Sequence, residues 1–123
     1  MKSFLLFLLA QLLYLWCPAQ SGQVNTLPIG KYETILKAQP VKWERGDIIL
    51  LDEEHYKLST SQDVGEYKFS ISAQRIFFTS GPLKSLFART TGSNSGPAII
   101  FPVAENVQQG HKIHSEVWGI YKQ

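Results

Sequence analysis

Residues 66–82 read EYKFSISAQRIFFTSGP, and this stretch decides the fold class. From Glu66 to Ile71 the chain alternates. Tyr67, Phe69 and Ile71 fall on one side, and Glu66, Lys68 and Ser70 on the other. That is the period of a half-buried strand, not of a helix. Ser72-Ala73-Gln74 breaks the run, and Arg75–Thr79 (RIFFT) resumes it. Ser80-Gly81-Pro82 ends it, because proline fixes its own φ and has no N–H for a ladder. Two short strands joined by a tight turn predict an antiparallel hairpin.

The same grammar extends in both directions. Upstream, Lys31–Ala38 reads as a strand interrupted at Gln39-Pro40 and prolonged by Lys42–Glu44. Arg45-Gly46-Asp47 is a turn, Ile48–Leu51 a continuous apolar strand, and Asp52-Glu53-Glu54 an acidic connection to His55–Leu58. Ser59–Val64 is a polar loop. Downstream come Leu86–Thr90, a loop at Gly92–Pro97 (GSNSGP), and Ala98–Val103, whose Pro102 suggests an edge or a bulge. A second loop at Asn106–Gly110 leads to the last strand, Ile113–Tyr121. About eight short strands with short connections predict a single-domain, all-β antiparallel meander. Such a meander protects its edges by curling into a barrel, the favoured reading, or by forming a small β-sandwich, the alternative.

The N-terminus reads differently. Lys2 precedes thirteen residues, Phe4–Trp16, that are apolar except for Gln11. Spanning a bilayer takes about 20 residues, so this stretch reads as the hydrophobic region of a secretory signal peptide over 1–19. Cys17-Pro18-Ala19 places small residues for cleavage near Ala19. Lipidation of Cys17 is the competing reading, and Trp16 before the cysteine fits it poorly. Residues 20–26 (QSGQVNT) read as a flexible polar leader, with the all-β domain over 27–123. The expectation is a secreted or periplasmic protein with no transmembrane segment in the mature chain. Cys17 is the sole cysteine of the 123 residues, so no internal disulfide can staple the domain, which must hold by burial and hydrogen bonding.

Three signals occur in order: Gly30-x-Tyr32, Gly65-x-Tyr67-x-Phe69, and Ile76-x-Phe78-x-Ser80-Gly81-Pro82-Leu83. Between the first two lies a hairpin, Ile48–Leu58, with Tyr56 in its second strand. This order resembles a loose group of small secreted all-β proteins over Gly30–Ala88. The resemblance implies the fold and export, and carries no activity and no site residue. The same residues also read as folding signals, with Gly30 and Gly65 at turn positions and the tyrosine hydroxyls at the rim of a sheet.

The chemistry is sparse. Twelve basic and ten acidic residues give a net charge of +2, too little to argue for nucleic acid. No serine stands in a G-x-S-x-G elbow, and no phosphate-loop pattern is present. His111 and His114, three apart, point to opposite faces of a strand. With Glu105, Glu116 and His55 they make a poor metal set, so no metal and no cofactor is expected. Adjacent carboxylates at 52–54 splay apart instead of facing each other across a cleft. Aromatic residues remain. Phe77-Phe78 and Val117-Trp118 are consecutive, so each pair must present one member to each side of a strand. Phe77, Phe78 and Trp118 are therefore the candidate binding patch, for a protein or a small apolar ligand. The expected function is a non-enzymatic binding or structural envelope module. The alternative is a small secreted hydrolase or lyase using a histidine with a carboxylate.

Overall fold

The alternation around Glu66 becomes a hairpin, Gly65–Ser70 (β4) and Arg75–Phe78 (β5), with Tyr67 opposite Phe78 and Phe69 opposite Ile76. The structure is a computed structural model that describes residues 23–39, 41–93 and 96–122. The proposed signal peptide, its cleavage site and Cys17 lie outside the described residues. Before the hairpin come Gly30–Leu36 (β1), Ile48–Leu50 (β2) and His55–Leu58 (β3). After it come Phe87–Ser93 (β6), Gly96–Phe101 (β7), a six-residue helix Val103–Gln108 (α1) and Val117–Lys122 (β8). Each strand pairs antiparallel with the next, and β8 returns to β1, with Leu36 opposite Val117 and Lys31 opposite Lys122. The sheet is a closed eight-stranded barrel, not a sandwich.

Closure follows from composition. An eight-stranded barrel is just wide enough for side chains to fill it. Its inner positions are Tyr32, Ile48, Tyr56, Ile76, Ile99, Phe101 and Val117, all fully buried, with Tyr67 and Phe78 nearly so. Phe78 stacks on Phe101 at 5.9 Å between centroids and meets Tyr56 edge-on at 4.9 Å. The interior is a packed aromatic core, held without a disulfide.

The tyrosines span it from wall to end. The Tyr56 hydroxyl donates to the Ser80 carbonyl (2.7 Å) and accepts from the Leu83 N–H (2.8 Å). At the opposite end Tyr32 donates to the Pro28 carbonyl (2.8 Å) and Tyr67 to the Asp52 carbonyl (2.6 Å). Burial pushes the Tyr67 phenol up to about 12, helped by Asp52 and Glu53, and raises Tyr32 and Tyr56 for the same primary reason. Gly65 is required by proximity, not by a turn. A Cβ there would strike the Ser80 carbonyl oxygen and lie 2.6 Å from the Tyr56 ring and 2.8 Å from Gly81 Cα. Gly81 itself has φ of +86°. Tyr56 and the glycines of the two later motifs, Gly65 and Gly81, thus form one three-dimensional clasp.

Several expectations shift. Residues 103–108 are helical instead of running into a loop at Asn106–Gly110. Asn106 is buried and accepts from the Phe87 N–H (2.7 Å) while donating to the carbonyls of Phe87 and Pro102. Those bonds hold a helix too short to show a period. Pro102 marks neither an edge nor a bulge: a closed barrel has no edge, and Pro102 caps α1 after β7 has ended. The last strand starts at Val117, not Ile113, and Lys42–Glu44 is no strand. The GSNSGP loop is shorter than expected, since β6 reaches Ser93 and β7 resumes at Gly96. Within residues 23–26, Val24 is buried, and its N–H and carbonyl both bond the Gln74 side chain (2.7 and 2.8 Å).

Candidate functional site

Strand direction sorts the connections into two ends. The upper end carries the β1–β2 loop (Lys37–Asp47), the β3–β4 loop (Ser59–Val64), the β5–β6 loop (Thr79–Leu86) and the α1 connection (Pro102–Glu116). The lower end carries residues 23–29 and the short turns after β2, β4 and β6.

The upper end holds an open pocket of about 240 Å³. Leu36, Trp43, Leu86 and Ile113 supply its apolar lining. Trp43 is 8% exposed and sits on the core, its ring 5.0 Å from Phe101. Lys42, Glu44, Arg45, Lys112, His114 and Ser115 complete the lining. The Arg45 guanidinium lies 5.6 Å from the centre of the Trp43 ring and donates to the Pro82 carbonyl (3.2 Å). Those two contacts fix its position over the pocket.

Asp47 anchors the loop that carries Trp43. Its carboxylate is buried and accepts the Thr34 N–H (3.0 Å), while its own N–H donates to Ser59 Oγ (2.8 Å). Lys31 and Lys42 each approach it at 3.5 Å. Burial alone would raise this carboxyl. The Thr34 N–H and the two ammonium groups outweigh burial and hold it below the usual carboxylate range.

The lower end has a second depression of about 220 Å³ between Asn25–Leu27, Glu53, Tyr67 and Phe69. It has no lysine or arginine in its lining.

The aromatic residues singled out from sequence do not form one patch. Phe78 is buried in the barrel. Phe77 points outward on β5, 38% exposed, with the Arg75 guanidinium 4.4 Å from its ring centre. Trp118 points outward on β8, separated from Phe77 by β6 and β7. Its Nε1–H donates to Glu116 Oε1 (2.8 Å), and Lys37 Nζ lies 5.3 Å from its ring. Trp43, expected in a strand extension, is the aromatic that lines the upper pocket. Its signal was present: a bulky apolar residue within the polar run Lys42–Asp47.

The histidines are dispersed. His55 Nδ1 contacts Asp52 Oδ1 at 2.9 Å on an exposed turn, outside the lining of either depression. This hydrogen bond raises the His55 pKa, and bonds from the Glu54 N–H and His55 lower that of Asp52. His111 Nε2 contacts the Ser85 carbonyl oxygen (3.0 Å), and His114 stands at the upper pocket. Among the described residues no three histidine, cysteine, aspartate or glutamate side chains gather as a metal site. No helix among them is long and apolar enough to cross a membrane. The chain matches no family model, and no curated protein or solved structure is significantly similar to it.

Proposed function

We propose that the protein is an exported, non-enzymatic β-barrel module that binds a partner protein through its upper end. One observation carries this reading: the apolar pocket formed by Leu36 at the end of β1 and by Trp43, Leu86 and Ile113 on loops held over a packed core. Recognition residues commonly sit on loops positioned by a rigid scaffold. The volume supports one occupant over another. Pockets for drug-sized ligands run from about 300 to 1,000 Å³, and about 240 Å³ is smaller. It suits a single projecting side chain, the kind of anchor that dominates protein interfaces. The hydrolase or lyase alternative is less supported, because the one histidine–carboxylate pair among the described residues, His55 and Asp52, is on an exposed turn.

The test is an NMR titration with N-acetyl-phenylalaninamide, a neutral probe carrying one apolar side chain. Saturable shifts of the Trp43 indole and Ile113 methyl resonances support the reading. No shift, or shifts confined to Phe77 and Trp118, would overturn it. Export is tested by the intact mass of the protein from a secreting host. A product beginning at Gln20 supports cleavage after Ala19, and a lipidated product beginning at Cys17 would replace it with membrane anchoring.

A further inference from the structure

The charges around the upper pocket say more about its occupant. Three cationic side chains, Lys42, Arg45 and Lys112, line it with a single carboxylate, Glu44. They are not equally available. Lys42 is already shared with Asp47 at 3.5 Å. Among the described residues Arg45 and Lys112 have no carboxylate within 4.0 Å. Arg45 is also fixed in place, by the Trp43 ring on one side and the Pro82 carbonyl on another. A fixed guanidinium loses little freedom on meeting a carboxylate, so its fork can act as a recognition element.

Resting on the reading of the pocket as a side-chain site, we propose that its occupant is an acidic peptide segment. An apolar side chain of that segment enters between Trp43 and Ile113, and flanking carboxylates meet Arg45 and Lys112. Apolar burial supplies the anchor. Charge complementarity supplies selection, since a basic segment would face two cations without compensation.

The experiment compares acetyl-Asp-Phe-Glu-amide with acetyl-Asn-Phe-Gln-amide by calorimetry at low salt. The two peptides share shape and anchor and differ in charge. Two solvent-exposed pairs predict a preference of about tenfold for the acidic peptide. That preference should shrink as salt shortens the screening length. Lys112→Gln and Arg45→Gln should each reduce it severalfold, read as the ratio of the two peptides' affinities for the same variant. Lys112 lies on an exposed connection, so its variant stays informative if the Arg45 variant fails to fold. Equal binding of the two peptides, or a preference that Lys112→Gln leaves undiminished, overturns the acidic-partner inference and leaves the pocket reading standing. Failure of both peptides to bind overturns both.

Discussion

The two ends of the barrel carry depressions of nearly the same size, about 240 and 220 Å³, yet they differ in almost everything else. The upper one is floored by Trp43, Leu36, Leu86 and Ile113 and bordered by three cations. The lower one lies against the hydroxyl-bearing Tyr67 and the carboxylate of Glu53, where the N-terminal segment crosses to Gln74. The difference originates in connection length. The lower turns after β2, β4 and β6 are only a few residues long, and tyrosine hydroxyls tie this end to backbone carbonyls. The upper end has three long connections, one containing a helix, and thus has residues to spare for lining a pocket. Volume alone does not mark a binding site; what lines it does.

The clasp under the upper loops is the most sensitive place to break that contrast. Gly65→Ala should cost about 3 kcal/mol or more, since the new methyl meets backbone of the Ser80–Gly81 segment that cannot retreat cheaply. Chemical denaturation measures it, and an unchanged midpoint would remove the clasp from the account. Next in size, the tyrosine hydroxyls should rank the two ends. Tyr56→Phe strands the buried Leu83 N–H and should cost about 2 kcal/mol, whereas Tyr67→Phe loses one bond to a carbonyl and should cost about 1 kcal/mol. Equal losses would say that the upper loops are no better fastened than the lower turns.

Acid should also act on the upper end. Asp47 has its folded pKa below the unfolded value of 3.8, so its contribution is present above that value. The contribution is lost as pH falls through the lower, folded value. Asp47→Asn should therefore flatten the acid limb of a stability profile, and an unchanged limb would count against the anchor. The smallest effect belongs to His55 and Asp52. The His55 pKa is raised above 6.5, so its contribution exists below that value and fades as pH rises through the folded value. Both groups are exposed, and such pairs contribute little. Asp52→Asn should return the His55 NMR titration toward 6.5 with no measurable change in melting temperature. A clear loss of stability would mean that the lower turn depends on this pair.

Much of the barrel was legible because its inner faces obey period two. Tyr67-x-Phe69 and Ile76-x-Phe78 announce which side chains point inward, and Ser72–Gln74 announces the turn. The helix α1 was not legible, since six residues hardly make two turns and its support comes from Asn106 bonding the distant Phe87. The candidate site was harder still. Leu36 and Trp43, Leu86, and Ile113 come from three separate parts of the chain, and only barrel closure brings them together. Adjacent aromatics such as Phe77-Phe78 drew attention to the walls. Alternation sent Phe78 to the core and left Phe77 beside Arg75.

Amide hydrogen exchange, with and without acetyl-Asp-Phe-Glu-amide, compares both ends of the molecule in one experiment. The account predicts added protection in residues 42–46 and 112–115, with none at 25–27 or 52–54. Protection confined to the lower end would contradict it, and would place binding at the mouth that Tyr67 and Glu53 border.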